Sequence, residues 1–172
     1  MKNLFLFFTL FTSFNCLAQE TSDPPEIFPE KCLGTWEGIM YIYSYNTLRD
    51  SVPVRFTAAK TDTPGTYIWK TDYLSETRPM TKDYKLVVDD LEKGRYRLDE
   101  GDGVELIEYN VGNKLYSMFQ VQDIYLTSST ELVAGQLIFE VTSGKVADEK
   151  KGVQNYSFTN VQRVVLEKIK KR

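Results

Sequence analysis

Twenty-four carboxylates and no histidine set the chemical limits of this 172-residue chain. Without histidine there is no Ser-His-Asp or Cys-His nucleophile, no His-ligated haem and almost no ordinary zinc site. Paired carboxylates remain available, and glycoside hydrolysis needs two of them facing each other about 5–10 Å apart. No pair is marked out by its neighbours, so a carboxylate-based hydrolase ranks third among the readings and no catalytic residue is expected. Asp99, Glu100, Asp102 and Glu105 form an acidic cluster of calcium-ligand type. Its spacing is not that of an EF-hand, and Asp-Gly at this point is ordinary hairpin chemistry. Asp89-Asp90 reads as a solvated strand end. No metal and no cofactor are expected.

Met1-Lys2-Asn3, an apolar run from Leu4 to Phe14 and Cys16-Leu17-Ala18 together read as a signal peptide over residues 1–18, with Gln19 as the new N-terminus. The run is too short to span a bilayer, and no later segment is long enough. Cys16 invites a lipid-anchor reading, but Ser13 and Asn15 fit that signal poorly. The chain is therefore expected in the periplasm or outside the cell. Losing Lys2 makes the formal charge one unit more negative than −3, which leaves no electrostatic footprint for nucleic acid. After cleavage Cys32 stands alone, so no internal disulfide forms, and it reads as a small buried apolar residue.

Residues 19–30 hold Pro24, Pro25 and Pro29 and read as an extended lead-in. Residues 31–172 form a single domain in which apolar residues recur every second position. Trp36, Gly38, Met40 and Ile42 share one face of a strand over Gly34–Tyr45, and Ile39, Tyr41 and Tyr43 share the other. Further strands run over 52–58, 67–73, 83–89, 95–99, 104–109, 115–122, 124–128, 131–142 and 156–168, with Pro53 expected near a strand start or edge. Val161–Ile169 also suits a helix, but its β-branched density favours a strand. Lys145–Gly152 reads as a charged loop. The pattern predicts an all-β, antiparallel up-and-down barrel of about 8–10 strands, since closure removes the edges a secreted sheet must otherwise protect.

Gly34-Thr35-Trp36 on a first strand, with Arg163 towards the end of the last, resembles the calycin arrangement of lipocalins and fatty-acid-binding proteins. The resemblance implies that Trp36 closes the barrel floor and that Arg163 packs across its face as a cation–π pair. The lipocalin Thr-Asp-Tyr turn and disulfide are not evident. Nitrobindin-like haem barrels share the Gly-Thr-Trp start but need an axial His, which is absent. The chain also resembles an uncharacterised group of small secreted bacterial proteins in Gly34–Gly38, in Lys93-Gly94-Arg95-Tyr96-Arg97-Leu98-Asp99-Glu100 and in Val161-Gln162-Arg163-Val164-Val165-Leu166; this resemblance implies no activity.

Eleven Tyr, ten Phe and two Trp suit a partly wet interior. The leading expectation is an exported, non-enzymatic binding protein. It would hold a small hydrophobic or amphipathic ligand against Trp36, Phe56, Tyr67, Trp69, Tyr84, Phe119 and Phe139. Arg55, Arg95 and Arg97 are expected to point outwards. The alternative is an envelope assembly protein with a solid barrel and a surface patch of Tyr41, Tyr43 and Tyr45.

Overall fold

A computed structural model describes residues 26–170, so the leader and most of the lead-in lie outside the described residues. One four-residue helix, α1 (Phe28–Lys31), precedes eleven strands. These are β1 (Gly34–Ser44), β2 (Thr47–Lys60), β3 (Thr66–Tyr73), β4 (Met80–Asp90), β5 (Arg95–Gly101), β6 (Val104–Val111), β7 (Lys114–Val121), β8 (Ile124–Val133), β9 (Gln136–Lys150), β10 (Val153–Tyr156) and β11 (Asn160–Lys168). Each of β1 to β9 pairs antiparallel with the next, β9 also pairs with β11, and β11 returns to β1. The result is a closed ring of ten strands. β10 stands outside the ring and pairs with the far end of β9.

Alternation fixes which side chains enter the ring, because a strand sends successive residues to opposite faces. Val52, Val54, Phe56 and Ala58 of β2 are buried, while the residues between them are exposed or half-exposed. The same parity buries Tyr67 and Trp69 on β3, Tyr96 and Leu98 on β5, and Val164 and Leu166 on β11. Pro53 lies inside β2, not at its start. Its carbonyl accepts the Leu74 N–H at 2.8 Å, just past the end of β3. Its nitrogen faces the same side, so the donor it lacks falls where that ladder has already stopped.

The segmentation differs from the sequence reading at three places. Ala134 and Gly135, both at positive φ, turn the chain inside what reads as one strand over 131–142. β8 and β9 meet there. The charged stretch 145–152 is not a loop, because β9 runs to Lys150 and turns through Lys151-Gly152 into β10. Residues 156–168 are not one strand either. The Ser157 N–H donates to the Lys145 carbonyl at 2.8 Å, and the chain steps across before β11 begins. Val161–Lys168 is strand, as the β-branched density requires.

One end of the ring is closed. Residues 28–30, read as the end of the extended lead-in, instead join Lys31 in the helix α1, which buries Phe28 and Pro29. Phe28 packs 6.4 Å from the Trp69 ring, and Cys32 is fully buried beside it. Burial pushes the Cys32 thiol up to about 12, so it is an inert packing group. The Trp36 indole N–H donates to the Cys32 carbonyl at 2.8 Å, tying α1 to β1.

Arg163 does not cover Trp36. Trp36 pairs in register with Lys168, and Lys168 Nζ lies 5.1 Å from the indole ring centre. Arg163 is five residues away, about 17 Å of strand, and of the wrong parity. It pairs with Tyr41 and Glu140 and sits on the outer face, 3.8 Å from the Glu140 carboxylate. Gly34 makes the Lys168 contact possible. A β-carbon there would lie 2.8 Å from Lys168 Cε, and its φ of +127° is one that L side chains rarely adopt. Gly38 serves the same strand pair, since a β-carbon would meet the Val165 carbonyl oxygen at 2.2 Å.

Candidate functional site

Above the floor the ring encloses a cavity of about 300 Å³. Its deep wall is apolar: Phe56 and Trp69 meet edge to face with ring centres 4.8 Å apart, and Leu98, Leu137 and Leu166 complete the layer. Tyr84, Ser128 and Phe139 stand about halfway up, and Tyr73, Lys82, Glu100, Phe119, Leu126 and Gln162 line the wall nearer the open end. The interior is therefore not the solid one that the assembly reading required.

Five of the seven candidate ligand residues meet here: Phe56, Trp69, Tyr84, Phe119 and Phe139. Trp36 and Tyr67 do not. Both belong to the floor, where Trp36 is held by Cys32 and the Tyr67 hydroxyl donates to Glu30 at 3.3 Å. Glu30 also pairs with Lys60 at 2.6 Å, and that hydrogen bond holds its carboxyl below the usual range. Tyr84 is held neutral by burial, with the Glu100 carboxylate beside it adding to the effect, and Lys82 Nζ lies 5.4 Å from its ring centre.

Arg55, Arg95 and Arg97 lie on the outer face, paired with Glu37, Asp89 and Glu105 respectively. The acidic cluster is dispersed. Glu100 faces inwards, Asp99 accepts the Gly101 N–H at 2.9 Å, and Glu105 pairs with Arg97. No group of three or more His, Cys, Asp or Glu is placed to hold a metal among the described residues. Tyr41 and Tyr45 are exposed on the outside of β1 and its following turn, and Tyr43 is half-buried.

The residue missed by sequence reasoning is Glu108. It lines the cavity from β6 and is only 5% exposed. Burial alone pushes its carboxyl up to about 7, with no charge or hydrogen bond offsetting the desolvation. Such a carboxyl is a competent proton donor or acceptor near neutral pH.

No family model and no curated protein matches the sequence. Solved structures do match the fold. The S-type phycobiliprotein lyase CPES from Guillardia theta superposes with a TM-score of 0.63 at 8% identity, over 84% of this chain and 92% of that one. The fold is calycin-like. A Nostoc punctiforme protein of unknown function from the DUF3598 family gives 0.59 at 14% identity, over 85% of this chain and 51% of the other. Rv2717c from M. tuberculosis gives 0.50 at 14% identity, over 81% and 94%. The expectation that the chain is not an enzyme is corrected by the first of these. A protein named a lyase has a similar barrel, so the lack of a motif does not place the chain outside the enzymes. A single buried carboxyl carries no paired-residue pattern in the sequence. Among the described residues no helix is long and apolar enough to cross a membrane.

Proposed function

We propose that this protein binds a small, largely apolar organic molecule inside its barrel. The carrying observation is the cavity of about 300 Å³, walled by Phe56, Trp69, Phe119 and Phe139 with a few polar groups among them. That is the lower end of the range of small-molecule pockets, about 300–1,000 Å³, and the mix of apolar wall and sparse polar groups is what such pockets use. Burial of the ligand's apolar body against the aromatics supplies the driving force, about 25 cal/mol per Å² removed from water. The polar groups orient the rest.

The test is a titration with the neutral fluorescent probe N-phenyl-1-naphthylamine. Saturable one-to-one binding is expected. Ser128→Trp, which fills the middle of the cavity, is expected to weaken it at least about tenfold by removing the space. Absence of saturable binding, or equal binding by the filled variant, defeats the reading.

The reading places this binding outside the cytoplasm, on the strength of residues 1–18. Intact-mass measurement of the protein recovered from its producing cells is expected to show a chain beginning at Gln19. A mass retaining Met1 would remove the export half of the proposal and leave the binding half untouched.

A further inference from the structure

We infer that Glu108 is the recognition group for a ligand carrying a protonated amine, or a similar cationic N–H group, on an apolar body. This rests on the barrel interior being a ligand site and goes on to name the class of ligand.

The argument starts from where the carboxylate lies. On β6, Glu108 pairs with Tyr96, which is packed into the floor. It therefore stands at the closed end of the cavity, in the layer of Phe56, Trp69 and Leu98. No hydrogen bond or charge from the described residues reaches its carboxyl. Ser117, next to it on β7, has its hydroxyl committed to the Ile107 carbonyl at 2.7 Å. The side chain is buried, lines the cavity and gains no hydrogen bond or charge partner, yet no described side-chain oxygen is sealed off without a partner. Its oxygens therefore open onto the cavity.

The other titratable groups lie elsewhere. Tyr73, Lys82, Tyr84 and Glu100 line the cavity farther towards the mouth. From Tyr96 to Glu100 along β5 is four residues, about 13 Å of strand. Glu30 and Tyr67 lie under the floor, bonded to each other, with Glu30 also paired to Lys60. Cys32 is buried there as an un-ionised thiol. No cation of the described chain is placed to meet Glu108.

A carboxylate buried without a partner is costly, and a cationic N–H group removes that cost by supplying both charge and donors. A carboxylate-headed ligand meets repulsion at the same point. A neutral ligand offers the carboxylate neither charge nor compensation for its burial. The raised carboxyl affinity for its proton, to about 7, agrees with this arrangement and makes recognition depend on pH.

The experiment displaces N-phenyl-1-naphthylamine with decylamine, decanol and decanoate at pH 8. Decylamine is expected to displace the probe at a concentration at least about tenfold lower than decanol, with decanoate weakest. In Glu108→Gln the amine-to-alcohol ratio is expected to fall to near one. In the unaltered protein that ratio is expected to shrink several-fold at pH 5.5, where Glu108 holds its proton. A bound probe displaced equally by amine and alcohol, or an amine preference that survives Glu108→Gln, overturns the inference and leaves the binding reading standing. Failure of the probe to bind overturns both.

Discussion

Replacing Trp36 by alanine is expected to remove about 3–5 kcal/mol of stability, the usual loss when a fully buried Trp is truncated in a core. For a domain whose whole stability is about 5–15 kcal/mol, that is a large fraction. Three contributions meet at this side chain. The indole is 2% exposed and belongs to the buried core cluster together with Met40 and Phe56. Its N–H satisfies the Cys32 carbonyl at 2.8 Å, which the truncation would leave orphaned beneath α1. Lys168 lies over its face at 5.1 Å, a contact that contributes about 0.5–1 kcal/mol at an exposed cation. Trp36→Phe keeps an aromatic ring and loses the hydrogen bond and part of the indole's volume; a smaller loss, about 1–3 kcal/mol, is expected. Chemical denaturation followed by Trp69 fluorescence reads both variants. A loss below about 1 kcal/mol for the alanine variant would mean that α1 and Phe28 close the barrel without the tryptophan.

The inward face of the barrel was legible because alternation is strict where one face is buried. Trp36, Met40 and Ile42 on β1, Val52 to Ala58 on β2, and Tyr67 and Trp69 on β3 all fall on the side that period two assigns. Arg163 misleads for the same reason in reverse. A family resemblance put a cation on the last strand, but the parity of Val164 and Leu166 selects Lys168, and only the β1–β11 register joins it to Trp36. Tyr67 shows a different limit. Its face was right, but whether an inward residue lines a cavity or a floor depends on α1, whose Phe28 fills that end. Glu108 was hidden by its own strand. Glu105-Leu106-Ile107-Glu108 places an acid and an apolar residue on each face, so the pattern does not say which acid goes in. Pairing Leu98 with Leu106 across the 101–104 turn settles it, and that register is a tertiary fact. Ala134-Gly135 lacks the Asn-Gly or Asp-Gly that marks a hairpin, so β8 and β9 merge when read by composition.

Glu108→Gln is expected to stabilise the ligand-free protein at pH 8 relative to pH 4, by about 3 kcal/mol more than any effect the substitution has at pH 4 itself. The sign follows from where the proton is held. The folded state holds the Glu108 proton up to about pH 7, against an ordinary value of 4.5. Between those values the folded chain binds a proton that the unfolded chain has released, so stability falls as pH rises across the interval and levels off above it. Glutamine has the same shape and no charge, so that fall is absent. Reading the variant as a difference between two pH values cancels the cost of burying its amide. The window is well separated from other titrations. The chain has no histidine. Glu30, Asp90 and Asp123, held low chiefly by side-chain hydrogen bonds to Lys60, Lys93 and Lys145, lose their contributions only as pH falls below the ordinary carboxylate range. Urea midpoints at pH 4, 6 and 8 for the two proteins measure the effect directly. A difference that does not grow between pH 4 and 8 would mean that Glu108 ionises as freely as a surface glutamate. The cavity would then hold enough water at its closed end to solvate a full charge, and no cationic ligand would be needed to hold it there.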